Sequence, residues 1–91
     1  MTAVADRFAV RVMVTDAWDQ VFLAVGPETT IADLKRQALV RALRRAALPI
    51  DQYIVKFRGA LVENEETTLA QLGAGANAPF IVLPGRRHPV R

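Results

Sequence analysis

In the stretch VGPETTIADLK, residues Val25–Lys35, the period of the hydrophobic pattern changes from that of a strand to that of a helix. Up to Val25, apolar residues alternate along the chain. Gly26 and Pro27 then end this alternation. Thr30 then stands where a helix N-cap is favoured, and Asp33 places a carboxylate in the first helical turn. The pattern predicts a strand that ends near Val25 and a helix that begins near Ile31.

The helix predicted after this cap is amphipathic. Its apolar residues recur at spacings of three and four and form one stripe: Ile31, Leu34, Ala38, Leu39, Ala42, Leu43 and Ala46. Arg44 and Arg45 are expected in the last turn, where positive charge suits the helix end, and Pro49 marks the stop. Lys35 falls beside the buried stripe, one turn after its first residue.

Two strands are predicted before this helix. Phe8–Thr15, FAVRVMVT, and Gln20–Val25, QVFLAV, place apolar residues at every second position, which is typical of half-buried strands. The residues between them, DAWD, supply turn-forming side chains. Because this connection is short, the two strands are expected to pair as a hairpin.

Three more strands and a short helix are predicted after the main helix. The strands are Tyr53–Gly59, Leu61–Val62 and Phe80–Leu83. Between the last two, a one-turn helix is expected, capped by Thr67 or Thr68 and ended by a glycine. Three carboxylates precede it: Glu63, Glu65 and Glu66. A run of loop carboxylates is usually a solvated surface, so we expect that here rather than a cation site.

Length and composition predict one small soluble domain. The chain has 91 residues, no cysteine, and no segment as long and apolar as the about 20 residues that span a bilayer. Without cysteine, disulfides, thiol nucleophiles and thiolate metal sites are excluded. The first residues, MTAVADRF, lack the features of a secretory signal, so the expected location is the cytoplasm.

The net charge of +3 is concentrated at the end of the chain. Up to residue 83, nine basic side chains balance nine acidic ones, and three later arginines supply the excess. We therefore predict a flexible N-terminus at residues 1–6, a domain at 7–84 and a flexible basic tail at 85–91.

The sequence offers no set of residues suited to catalysis. The single histidine, His88, falls in the predicted tail, and no second histidine or cysteine is present to share a metal with it. The small-residue stretch Gly73–Ala78 lacks the lysine and the strand-to-helix context of a phosphate-binding loop. We predict a protein that is not an enzyme and that uses no cofactor or metal.

The predicted order over residues 8–83 is strand, strand, helix, strand, short strand, short helix, strand. VGPETTIADLK is a strand-to-helix passage with proline after the strand and threonine at the cap. LPIDQYIVKFRGALVE, residues 48–63, contains a proline-x-aspartate-glutamine connection followed by a strand, and TTLAQLG, residues 67–73, opens a short helix. In this order and spacing the three stretches resemble the ubiquitin-like β-grasp family, across almost the whole chain.

The resemblance implies an α+β fold, in which a mixed four- to five-stranded sheet packs on one main helix with a short helix beside it. Lys56 stands where ubiquitin has the isoleucine at the centre of its binding patch, and Ala60 where it has its best-known chain-forming lysine. Readers of eukaryotic ubiquitin are therefore not expected to recognise this chain. The nearest functional analogy is with stand-alone prokaryotic proteins of this family that lack a C-terminal glycine pair, such as those at bacterial type VII secretion loci.

From this resemblance and the strand parities we predict a noncovalent adaptor that binds another protein as a monomer or weak oligomer. The predicted binding surface is the sheet face turned away from the helix, an apolar patch edged by cations: Arg11, Met13, Ile54, Lys56, Ile81 and Leu83. Trp18, in the first hairpin turn, is close to where ubiquitin places an apolar contact residue. Its ring is expected either to join this surface or to fold back over the sheet edge.

Two other functions remain open from the sequence. Cleavage after Gly85 would leave a terminal glycine for activation as a modifier or sulfur carrier, although the preceding proline makes the tail rigid. Binding to nucleic acid would use the arginines of the helix and tail, although most aromatic residues have inward parity and offer few stacking platforms. The helix arginines in question are Arg36, Arg41, Arg44 and Arg45.

Overall fold

The helices and strands follow the order predicted from the sequence. The structure, a computed structural model, describes residues 7–44 and 50–85. Its regular elements are β1 (Phe8–Val14), β2 (Asp19–Val25), α1 (Ile31–Leu43), β3 (Tyr53–Phe57), β4 (Ala60–Leu61), α2 (Leu69–Leu72) and β5 (Pro79–Pro84). Short 3-10 turns precede β2 and β3. The segment 1–6 and most of the predicted tail, with His88, lie outside the described residues.

The five strands form one mixed sheet in the order β2-β1-β5-β3-β4. β1 pairs antiparallel with β2 and parallel with β5. β3 pairs antiparallel with both β5 and β4. The last strand of the chain therefore lies at the centre of the sheet, and the predicted α+β fold is confirmed with five strands.

The hydrophobic core lies between one face of this sheet and α1. The inward residues of the strands alternate with exposed ones and are buried: Val10, Val12, Val14, Val21, Leu23, Val25, Val55, Phe80 and Val82. Four residues of the predicted helix stripe are fully buried against them: Ile31, Leu34, Ala38 and Leu39. The rings of Phe57 and Phe80 stack with centroids 4.9 Å apart. The two patterns thus identify most of the core, although Ala42 and Leu43 of the predicted stripe are only partly buried and Ala46 lies outside the described residues.

The predicted start of α1 is confirmed, but the predicted end is wrong. Thr30 Oγ1 accepts a hydrogen bond from the backbone N–H of Asp33 at 3.2 Å. Arg44 is not in the last helical turn, because it adopts the left-handed conformation at φ 56° and its N–H donates to Val40 O. The predicted positions of Arg45 and Pro49 lie outside the described residues.

The acidic loop is not the fully solvated surface that the sequence predicts. Glu65 is buried, and its Oε1 lies 2.8 Å from Nζ of the equally buried Lys35. Nζ of Lys35 also donates to the backbone carbonyl of Tyr53 at 3.0 Å. Since a charge is costly to bury without a partner, this ion pair explains how a lysine fits into the core-facing side of α1.

Backbone hydrogen bonds hold the acidic loop against the start of α1. The N–H of Ala32 donates to Glu65 O at 2.8 Å, and that of Ile31 to Thr67 O at 2.9 Å. α2 follows directly, with Thr68 as its cap in a full capping box and Gly73 at φ 76° as its end, as predicted. β4 lies one residue earlier than predicted, at Ala60–Leu61, and Val62 is not part of it.

Candidate protein-binding face

The sheet surface opposite α1 is here called the open face. It is formed by the strand residues whose side chains alternate with the buried ones. One row of paired residues crosses all five strands: Gln20, Met13, Ile81, Lys56 and Leu61. Because directly paired side chains on one sheet face lie within about 5.5 Å of each other, this row is a continuous surface.

All six strand residues predicted from the sequence lie on the open face. Met13 and Lys56 flank Ile81 on the two neighbouring strands. Ile54 pairs with Leu83, one step further along the sheet, and both are partly buried. Arg11 pairs with an exposed phenylalanine of β2 on one side and with a proline of β5 on the other. The structure therefore brings these six residues together.

Two apolar residues of the open face were missed by the sequence analysis. Phe22, opposite Arg11, is 51% exposed, and Leu61, opposite Lys56, is 41% exposed. Ile81 between them is 40% exposed. A signal for Phe22 exists in the sequence, because it has the opposite parity to the buried Val21 and Leu23.

The charged side chains on the described strands of the open face are both basic. Arg11 and Lys56 lie on the strands at either side of β5, with Ile81 on β5 beside them. Nε of Arg11 donates a long hydrogen bond to Asn77 O at 3.4 Å, which draws its side chain toward the loop before β5. The two cations therefore flank an apolar centre at Ile81, and exposed apolar residues, Phe22 and Leu61, lie on the outer strands beyond them.

Gly85 closes one end of the open face by packing against Ile54. Its N–H donates to Gln52 O at 2.9 Å, so the chain continues beside β3 after β5 ends. A Cβ at this position would lie 3.0 Å from Ile54 Cδ1, which is closer than side chains normally approach. The glycine allows this close contact between the backbone and Ile54.

Trp18 lies in the β1–β2 turn, and its ring is not folded over the sheet. Its side chain is 83% exposed, and its backbone is left-handed at φ 48°. The turn is anchored nearby, where Tyr53 Oη donates to Asp16 Oδ2 at 2.5 Å. An exposed indole buries little apolar surface, and a left-handed non-glycine residue costs about 1 kcal/mol. Such locally unfavourable features cluster at functional sites, which supports an interface role for Trp18.

Two substitutions of Trp18 separate the free-energy cost of its left-handed backbone from the contribution of its indole ring to binding. We expect Trp18→Gly to raise the free energy of unfolding by roughly 1 kcal/mol, because glycine adopts the left-handed conformation freely. Trp18→Ala keeps the strained backbone and is expected to leave stability nearly unchanged. Both variants should weaken partner binding equally. Urea denaturation and a binding titration check this, and binding unaffected by either change would remove Trp18 from the interface.

The described residues form neither a metal-binding cluster nor a membrane-spanning helix. Within 7–44 and 50–85, no group of three or more histidine, cysteine or acidic side chains is arranged to hold a metal ion. None of the helices that the structure describes is long and apolar enough to cross a membrane.

Comparison with known proteins identifies the fold and not the family. No protein-family model matches the sequence. No curated protein matches it either. Solved structures do match, among them the ubiquitin of Caldiarchaeum subterraneum, with a TM-score of 0.72 at 16% identity over 92% of this chain and 96% of that one.

Two further solved structures are similar to the same extent. A ubiquitin-like domain of an Arabidopsis thaliana protein has a TM-score of 0.72 at 17% identity, covering 99% of this chain and 87% of that one. A de novo designed protein based on ubiquitin has a TM-score of 0.71 at 17% identity, covering 85% of this chain and 87% of that one. At these identities the likeness shows a ubiquitin-like β-grasp fold.

Proposed function

We propose that this protein is a noncovalent adaptor that binds another protein through the open face. The observation that carries the proposal is the row of side chains across five strands, in which Ile81 and Leu61 remain 40% and 41% exposed. Exposed apolar residues joined into one patch are typical of protein-binding sites. The proposal involves no catalytic step.

The chemistry of the open face also suggests the kind of partner. Ile81 at the centre would insert into an apolar pocket, where buried side chains contribute most of the binding energy. Arg11 and Lys56 at either side would pair with carboxylates at the rim of that pocket. We therefore expect an acidic partner surface with at least one apolar depression.

Activation as a modifier fits this structure less well than noncovalent binding. Gly85, after which cleavage would have to occur, is hydrogen-bonded to Gln52 and packed on Ile54. A protease needs an extended, accessible segment, so both contacts would have to break before cleavage. Lys35 is also unsuited to accept a conjugate, because its Nζ is buried beside Glu65.

One observation favours nucleic-acid binding more than the inward parity of most aromatic residues predicted. Trp18 and Phe22 are both exposed aromatic rings, Phe22 pairs with Arg11 across the sheet, and such rings can stack on unpaired bases. A nucleic-acid ligand would be retained with a steep dependence on salt. We favour a protein partner because, of the two cations on the open face, one is only partly exposed and the centre between them is apolar.

A matched pair of substitutions tests the open face. Ile81→Asp places a charge at its centre, whereas Val40→Asp places one on α1, on the other side of the molecule, at 45% exposure. We expect Ile81→Asp to weaken partner binding by about 30-fold or more, the size of a hot-spot loss, and Val40→Asp to leave it unchanged. Neither residue is buried, so both variants should stay folded.

The measurement starts from proteins captured by the full chain in its source organism, followed by titration of the captured partner with each variant. Thermal melts of both variants establish that the fold is retained. Equal affinity of the wild type and Ile81→Asp would rule out the open face as the binding site. A nucleic acid as the captured ligand, or a product ending at Gly85 in an intact-mass spectrum, would favour the corresponding alternative.

A further inference from the structure

The edge of the sheet formed by β2 is a second surface, separate from the open face. β2 is the outermost strand in the order β2-β1-β5-β3-β4, and within the described residues no strand lies beyond it. It is seven residues long, whereas β4 at the other edge has only two. A long unpaired edge is a template for adding another strand.

The hydrogen bonds of β1 show which backbone groups of β2 point outward. The N–H of Arg11 donates to Ala78 O, and Ala9 O accepts from the N–H of Asn77, so these two residues of β1 face β5. Because successive residues of a strand direct their backbone groups to opposite sides, the residues of β1 between them face β2. Their partners in β2 are the odd-numbered residues, from Asp19 to Val25.

The even-numbered residues of β2 therefore direct their N–H and C=O groups away from the sheet. These are Gln20, Phe22 and Ala24. The contact between Arg7 and Ala24 agrees with this geometry, since the guanidinium donates to Ala24 O at 2.7 Å. Edge strands are usually protected by lysine, proline or a bulge, and the sequence of β2, DQVFLAV, contains no lysine or proline.

We infer that β2 pairs antiparallel with β2 of a second copy of this chain. The pairing that follows from symmetry is centred on Phe22, so that the two Phe22 residues exchange N–H···O=C bonds across a two-fold axis. Gln20 of each copy then pairs with Ala24 of the other. The two half-exposed Phe22 rings meet on the open side of a continuous ten-stranded sheet, where paired side chains interact favourably.

The charges at the two ends of β2 favour a second copy in this arrangement. Asp19 begins the strand, and Arg7 reaches its other end, at Ala24. An antiparallel two-fold pairing brings Asp19 of each copy to the end where the other copy carries Arg7. The same strand placed parallel would bring Asp19 beside Asp19, which is unfavourable. The edge is therefore complementary to itself in charge as well as in hydrogen bonds.

This inference goes beyond the proposed function because it uses the edge of the sheet and not the open face. The two-fold axis is perpendicular to the sheet, so both open faces of the dimer lie on the same side. Such a dimer would hold a partner with two docking sites more tightly than one copy does. A single strand pair buries little surface, so the dimer should be weak. We expect it to dissociate as the protein is diluted from about 1 mM to 20 μM.

Amide exchange of the full chain, measured by NMR as a function of protein concentration, tests the edge directly. In a monomer the amides of Gln20, Phe22 and Ala24 exchange quickly, whereas those of Val21 and Leu23 are protected by β1. We expect only the first three to gain protection, by about two- to fivefold between 20 μM and 1 mM protein, as sedimentation velocity shows a dimer. A monomer at 1 mM with unchanged exchange, or a dimer without this alternating pattern, would overturn the inference.

Charge-reversal substitutions at Asp19 and Arg7, the two ends of the paired edge, distinguish this dimer from other modes of association. In Asp19→Arg alone, or in Arg7→Asp alone, like charges meet at both ends, and dimerisation should weaken by roughly tenfold. Mixing the two variants makes both ends attractive again, so a mixed dimer should form at the wild-type concentration. Leu61→Lys, at an exposed position of the opposite edge, is the control and should leave dimerisation unchanged. Failure of the mixture to dimerise would exclude the two-fold β2 pairing.

Discussion

Lys35→Met is expected to lower the free energy of unfolding by about 3–5 kcal/mol, which is a large part of the stability of a domain this size. The methionine fills nearly the same volume, so the loss comes from electrostatics and not from a cavity. Nζ of Lys35 lies 2.8 Å from Glu65 Oε1, and the side chains are only 2% and 9% exposed. Without the ammonium, the buried carboxylate loses its counter-charge at the point where the acidic loop docks on α1.

A double substitution separates the ion pair from the packing around it. Lys35→Met with Glu65→Leu removes both charges together, and we expect stability within about 1 kcal/mol of the wild type, or above it. Chemical denaturation of the two single variants and the double variant gives the coupling energy. If Lys35→Met lowers the free energy of unfolding by less than about 1 kcal/mol, then Glu65 is stabilised by water and not by Lys35.

Phe80→Ala is expected to cost about 3–5 kcal/mol, because it empties the centre of the core. Phe80 is 2% exposed, lies on the central strand β5, and stacks on Phe57 with an interplanar angle of 25°. The substitution removes packing on the helix side of the sheet at its centre, where β5 is paired with a strand on each edge. Thermal and urea unfolding should show a much lower midpoint.

Phe22→Ala is the matched control, since it removes the same ring from the exposed side of the same sheet. Phe22 is 51% exposed, and its loss should change stability by no more than about 0.5 kcal/mol. The comparison is made at low protein concentration, so that association through β2 does not contribute. Equal losses for the two variants would contradict the assignment of the core face.

Most of the fold follows from short-range pattern in the sequence. Val10, Val12 and Val14 alternate with exposed residues, and the structure buries all three. Thr30 and Thr68 occupy positions where a side-chain oxygen can cap a helix, and both do so. The same parity placed the six predicted strand residues on the open face, because a side chain that alternates with a buried one must point the other way.

The Lys35–Glu65 pair could not be predicted from pattern. Periodicity puts Lys35 beside the buried stripe, where a lysine normally extends its ammonium to water. Its partner lies 30 positions later, in a loop held on α1 by the backbone hydrogen bond from Ala32 N–H to Glu65 O. Nothing in the spacing of either segment specifies that contact.

The boundary of the open face also depends on contacts between segments that are distant in the sequence, so pattern could not predict it. The contact of Gly85 with Ile54 depends on β5 lying beside β3, a pairing between distant segments. The two residues missed there have different causes. Phe22 could have been found from parity, whereas Leu61 faces outward in a strand of two residues, too short for an alternating pattern.

The most direct test of the open face is site-specific photo-crosslinking in the source organism. A photoreactive residue is introduced at Ile81 on the open face, at Val40 on α1, or at Phe22 near the β2 edge. We expect a crosslink to one other protein from Ile81, none from Val40, and mainly a crosslink to a second copy of this chain from Phe22. A partner crosslinked from Val40 and not from Ile81 would contradict it.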